Sequence, residues 1–313
     1  MNRIVIVVNK TWEADAAFAA MFNNDFRKTL PGYDILYKDI KVQNLDYPWN
    51  EKYGATAPRV IYSRGNLQVE IWCLNTVMTE NPDPNDPFYY SRAYQKAKDF
   101  PRILQYSADP IKLIAAYGTA GAPTEVTKNG GIVIGAGIFP YNANLVADDK
   151  KYNSDKFGTM VNSGISQDFF DKLNLGMSSI NMKLYFETAA LTPPNHPSNA
   201  FQFIADKNII AVNDINVNSY DDFKSCDPAA LAAFTDFKKK NQLKQTAYSI
   251  ETTHGVIILE SKCENFIFIS AITDRAAYFG SEVTPKLHAQ NFSAAFNGGV
   301  FFNWFIPFLF QYF

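Results

Sequence analysis

Cysteine and histidine are scarce in this chain. Cys73, Cys226 and Cys263 are the three cysteines in 313 residues, widely separated and with no C-x-x-C pair. That excludes a disulfide framework and a zinc site of the usual spacing. The three histidines, His196, His254 and His288, share no metal-ligand spacing either. An excess of basic charge is also missing. Lys and Arg total 29 against 31 Asp and Glu, a net charge of −2, so no nucleic acid or other polyanion is expected as a partner. Neither the dinucleotide fingerprint G-x-G-x-x-G nor a G-K-[ST] phosphate loop occurs. The opening "MNRIVIVVNK" is too short in its apolar run for a secretory signal and reads as a first strand. The segment "GGVFFNWFIPFLFQYF" at 298–313 is too short and too polar-interrupted to cross a bilayer, and is expected in a core or an interface. The default expectation is a soluble cytoplasmic protein with no membrane partner.

What is abundant is aromatic surface. There are 26 Phe and 17 Tyr, and 47% of the residues are hydrophobic. That suffices for a sizeable core and an oligomer interface. Residues 3–9, "RIVIVVN", have the uniform β-branched pattern of a strand buried on both faces. Phe18, Met21 and Phe22 then fall at helical spacing. Strands are expected in 33–42, 58–65 and 67–75, and a helix up to Pro101. A strand over 111–117, a glycine turn over 118–122 and a strand over 131–138 follow. Further on come a short helix at 167–177, a strand near 208–217 and a helix at 219–241 broken near Pro228. The pattern ends with strand 247–250, helix 252–262, strand 265–272 and a helix from about Pro285. Strands alternating with helices place the chain in the α/β class with a mostly parallel sheet, with no internal repeat and no dividing linker.

In open α/β sheets ligands bind at the carboxyl ends of strands. Five such ends here carry small, polar or acidic residues: "NKTWEAD", "YGTAGA", "VNDINVN", "SIETTHG" and "AITDRA". Each alone has a structural explanation. Glycines in "YGTAGA" suit a tight turn as well as a close backbone approach to a ligand. Glu251 suits a helix start, Asp274 an N-cap and Glu13 a solvated first turn.

Together they resemble the nucleoside phosphorylase and nucleosidase superfamily, most closely the methylthioadenosine/S-adenosylhomocysteine nucleosidases. "YGTAGA" followed by "NGGIVIG" is similar to that family's glycine turn and next strand. Ile250-Glu251 followed by "AITD" at Asp274 is similar to its Glu and Asp motifs at the family's spacing, and "RIVIVVNKTWE" reaches Glu13 without a gap. The resemblance implies one domain over 1–313 with insertions near 75–100 and 140–200. It implies a three-layer α/β/α phosphorylase/hydrolase-like fold with a central mixed sheet, no metal or organic cofactor, and a homo-oligomer.

It also implies roles. Asp274 would protonate or hydrogen-bond purine N7. Glu251 would bind the ribose hydroxyls, with Ile250 against the sugar and Thr119, Ala120 and Gly121 beside it. Glu13 would orient or deprotonate the attacking water. Asp214 fits the base-binding segment, where Asn216 falls at the aromatic position and Val217 at the backbone reader; Tyr220 or Phe223 would have to replace the missing aromatic, and the sequence places neither there. The expected activity is hydrolysis of the N-glycosidic bond of a purine nucleoside, a 6-aminopurine favoured. Phosphorolysis is the alternative. Against it, Ala116 stands where hexameric phosphorylases carry Arg, Thr119 offers only a neutral hydroxyl, and Glu13 would repel a phosphate dianion. Arg59 or Arg64 would have to supply the cation. Asn216 and Ser270 depart from the family pattern and leave a non-catalytic nucleoside binder as a third possibility.

Overall fold

The structure is a computed structural model that describes residues 1–44, 57–78, 92–123, 127–143, 152, 154–195, 201–215, 217, 222–284 and 287–313. The chain begins β1 (Asn2–Val8), α1 (Thr11–Met21), α2 (Asn24–Lys28), α3 (Tyr33–Leu36), β2 (Lys41–Asn44), β3 (Val60–Arg64), β4 (Leu67–Cys73) and α4 (Leu74–Val77). It continues α5 (Arg92–Asp99), α6 (Pro101–Leu104), β5 (Ile111–Ala122), β6 (Ile132–Gly135), β7 (Gly137–Tyr141), β8 (Val161–Asn162), α7 (Gln167–Met177) and α8 (Ile180–Ala189). The last part runs β9 (Phe203–Ala205), β10 (Ile209–Asp214), α9 (Phe223–Lys240), β11 (Thr246–Glu251), α10 (His254–Ser261), β12 (Phe266–Arg275), α11 (Phe279–Glu282) and α12 (Leu287–Tyr312).

The strands form one mixed sheet with a main path β2-β3-β4-β1-β5-β11-β10-β7-β8, to which β12, β6 and β9 attach through β5. β1 runs parallel to β4 and β5, β10 parallel to β7 and β11, and β12 parallel to β5, while β3 pairs β2 and β4 antiparallel. The two-residue period of β1 explains the layers. Ile4, Ile6 and Val8 join α1, α7, α8 and α12 in one apolar cluster, whereas Val5 and Val7 join Ile103, Ile257 and Ile258 of α6 and α10 in another. Helices therefore cover both faces, which is why β1 lacks a polar alternation.

Several local expectations change. Residues 33–36 are helical, with Tyr33 and Tyr37 rings 4.8 Å apart at i,i+4 and the Tyr37 hydroxyl donating to the Asn303 carbonyl at 2.8 Å. The glycines at 118–122 make no turn: β5 continues through them to Ala122. α9 passes through Pro228 unbroken; Pro228 stands in the second turn, so the interrupted bond would fall on the carbonyl of the exposed Lys224, which water can satisfy. α8 was not expected at all. Parts of the two expected insertions, near 75–100 and 140–200, lie outside the described residues.

The C-terminal segment is longer than its apolar run suggests. α12 has 26 residues, and its stretch His288–Tyr312 is long and apolar enough to cross a membrane by length and composition, yet 94% of its apolar window is buried inside the protein. It is a core helix. Gly299 lets it press on α1, because a Cβ there would overlap the Ala17 carbonyl.

Candidate active site

The site is built around the end of β5. β1 occupies one edge of β5 as far as Tyr117, and β12 the other edge from Ile114 to Ala122. Past the end of β1, β11 reaches β5 through a single bridge, Ile250 to Gly121. Gly121 thus sits between two motif strands. A Cβ built on it would lie 3.3 Å from Ile250 Cγ2 and 3.6 Å from Asp274 Oδ2. A methyl there would touch both and press on Ile250, so the missing side chain at Gly121 serves close packing between strands rather than a turn.

Asp274 is not a helix cap. It lies within β12, just after a bulge between Ile272 and Asp274 that re-aims the strand. It is buried, and Thr273 Oγ1 donates to its Oδ1 at 2.5 Å and approaches the Ala120 carbonyl at 3.2 Å. Burial pushes its carboxyl up from the usual 3.8 to about 8; the Thr273 hydroxyl opposes this, and Asp227 and Glu282 add to it. At neutral pH Asp274 holds its proton.

The backbone after Asp274 is held by two acids. Glu282 accepts from Arg275 N at 2.8 Å and from Arg275 Nε at 2.5 Å. Asp227 of α9 accepts from Ala277 N at 3.2 Å. Ala277 has φ +68°, a left-handed conformation that costs a non-glycine residue about 1 kcal/mol or more. Before Asp274, Gln290 of α12 donates to the Thr273 carbonyl. Arg275 is therefore committed to Glu282, and it also stacks on Tyr278 with 4.4 Å between guanidinium and ring centre.

Glu251 ends β11 and turns back onto the start of α10. Its Oε2 accepts from the main-chain N–H of Thr253 and, at 2.8 Å, of His254; its Oε1 accepts from Asn213 Nδ2 at 2.8 Å. The helix-start explanation of Glu251 is thus realised, since it satisfies N–H groups that would otherwise be orphaned. A carboxylate offers about four lone-pair sites. With three such donors, Oε1 retains an acceptor position.

Glu13 is likewise buried rather than solvated. Its Oε2 reaches back to Lys10 N at 2.9 Å, and its Oε1 accepts from Thr119 N at 2.8 Å and Thr119 Oγ1 at 2.6 Å. It caps its own helix and ties α1 to β5. Ala120 is buried, and Thr119 is partly exposed.

Two groups in the site carry no sequence signal. His254 is fully buried, its Nδ1 lies 3.7 Å from Glu251 Oε1, and neither ring nitrogen has a hydrogen-bond partner among the described residues. Burial lowers its pKa from 6.5, with Glu251 and then Glu13 opposing and Lys96 reinforcing, so the imidazole is neutral at pH 7. Lys96 of α5 is buried and donates to Thr253 Oγ1 at 2.5 Å. A buried cation from α5 therefore reaches the start of α10, two residues after Glu251.

Of the remaining expected residues, Asp214 borders the site. Asp214 ends β10 and is fully buried; its charge raises Asp227, which burial first lifts toward neutrality. Val217 is partly buried, and Asn216 and Tyr220 lie outside the described residues. Phe223 stacks on Phe279 at 4.8 Å. Arg59 pairs with Asp15 at 2.9 Å, and Arg64 donates to the Phe310 carbonyl at the end of α12. Ser270 bonds Ser249 at 2.7 Å, joining β12 to β11 with both hydroxyls buried.

No protein-family model matches this sequence, and no curated protein matches it. Solved structures do match. A putative 5′-methylthioadenosine/S-adenosylhomocysteine nucleosidase from Borrelia burgdorferi B31, bound to adenine, aligns with 97% of this chain and 99% of its own, with a TM-score of 0.51 and 12% identity. A second MTA/SAH nucleosidase aligns over 99% of this chain and 96% of its own, with a TM-score of 0.50 and 12% identity. The likeness over nearly the whole length establishes the fold.

Proposed function

We propose that this chain, which has the fold of the MTA/SAH nucleosidases, hydrolyses the N-glycosidic bond of a purine nucleoside. The observation that carries the reading is Asp274: a buried carboxyl, protonated at neutral pH, beside Gly121, the residue of β5 that Ile250 bridges from β11. Proton donation to the base is the step that such an acid serves. The proton of Asp274 passes to purine N7, and the C1′–N9 bond breaks with its electron pair going to the base. A water oxygen bonds to C1′, and the proton it sheds goes to Glu13. Glu251 accepts from the ribose hydroxyls through Oε1 and favours positive charge on the sugar. The adenine bound in the Borrelia relative supports a 6-aminopurine as the base.

Water is the nucleophile in this reading. Arg59 and Arg64 are engaged with Asp15 and Phe310 respectively, and the two acids Glu13 and Glu251 disfavour a phosphate dianion. Lys96, a buried cation on the Thr253 hydroxyl, favours phosphate instead. The test is base release from a nucleoside panel, followed by chromatography, with and without phosphate. Free base should appear without phosphate, and Asp274→Asn should lower kcat by about 10²–10⁴-fold while the fold is kept. Strict dependence on phosphate would replace hydrolysis by phosphorolysis. Nucleoside binding without any base release would make the chain a binder.

A further inference from the structure

Asp227 lies in a part of the chain that suggests no role by sequence, in the second turn of α9 beside Pro228. Two contacts bring that turn to the segment following Asp274. Phe223 stacks on Phe279, and Asp227 Oδ2 takes the N–H of Ala277. Ala277 is the left-handed residue of the turn, so its strained conformation is fixed by a side chain from another element. Asp227 is itself buried.

We propose that Asp227 is a positioning residue for Asp274: it holds the strained turn behind the acid and sets a second buried carboxyl against the segment that follows it. The proposal rests on the reading of Asp274 as the proton donor. Burial is the main reason Asp227 rises to about 7; the Ala277 N–H opposes it and Asp214 adds to it. Asp227 in turn is the first charge that raises Asp274. Two neighbouring carboxyls that resist ionising together titrate as a pair. The other groups facing them are Glu282 on α11, Arg275 on β12 itself, which Glu282 holds, and Asp214 on β10. β5 presents only Gly121 and Ala122, and α12 presents the uncharged Gln290.

Two variants separate holding from charge. Asp227→Asn keeps an acceptor for Ala277 and removes the charge. The double variant Asp227→Ala/Ala277→Gly removes both the acceptor and the strain, since glycine adopts positive φ freely. In both, the alkaline limb of the kcat profile should move to lower pH by about one unit. An unmoved limb in Asp227→Asn, or a limb restored by Ala277→Gly along with thermal stability, would reduce Asp227 to a structural clamp and overturn the proposal. A carbon-13 titration of the aspartate carboxyls in the unaltered protein decides the matter if the variants fail to fold or the chain releases no base. Coupled steps reaching neutral pH support the pair; two independent transitions near pH 4 refute it. An inactive protein with a coupled pair would sink the enzymatic reading and leave the carboxyl pair standing.

Discussion

At the scale of single residues, the site is a set of acids in unlike environments. Asp274 has one hydroxyl donor and loses its charge; Glu251 has three donors and a helix start. In the proposed reaction that contrast suits Asp274 to donating a proton and Glu251 to accepting from the sugar hydroxyls. Glu251→Gln is expected to leave the fold intact, with Asn213 turning its amide so that its oxygen accepts from the new NH2. It should lower kcat/KM by about 10²-fold, because a charged acceptor at the sugar is lost. Activity equal to that of the parent would remove Glu251 from the machinery. Glu251 and Asp274 were legible in the sequence because each closes an apolar run. His254, Lys96 and Asp227 were not: each sits in a helix with nothing in its local pattern to mark burial, and each meets the site only through packing between distant segments.

At the scale of elements, strands buried on both faces were the most readable, since an unbroken β-branched run admits few alternatives. The failures were of two kinds. Pro228 and the glycines of β5 are local breakers that their surroundings overrode, the first because only one bond was at stake, the second because strands on either side pair with Gly121. Tyr33 and Tyr37 read as strand residues, but their i,i+4 stacking suits a helix. The contact of α12 with α1 provides a test independent of activity. Gly299→Ala should destabilise the protein by about 1–3 kcal/mol, measured by denaturant unfolding, because the added methyl meets the Ala17 main chain rather than a side chain that can rotate. An unchanged midpoint would mean that the two helices are farther apart than described.

At the scale of the whole molecule, the buried titratable groups set how stability varies with pH. Asp274 and Asp227 hold protons in the folded state to about pH 8 and about pH 7, against 3.8 ordinarily. The stability they lend is complete below about pH 4 and is lost as pH rises through those folded values. The slope is about 1.4 kcal/mol per pH unit for each group. His254 has the opposite sense: its depressed value makes stability fall as pH drops below 6.5. Asp274→Asn should therefore gain stability relative to the parent steadily from pH 5 to 8 and level off above. Melting temperatures of the two proteins measured across that range would check it, and a constant gap would show that Asp274 ionises freely.

The position of α12 has a consequence for biosynthesis. The layer that shields β1 and β5 is assembled from α1, near residue 11, and from a helix that begins only at Leu287. A nascent chain emerging from the ribosome must carry α1 with an oily face uncovered while some 270 further residues are made, an interval in which chaperone engagement is to be expected. Closure of that layer joins the two most distant parts of the sequence, so it belongs among the late and slow events of folding.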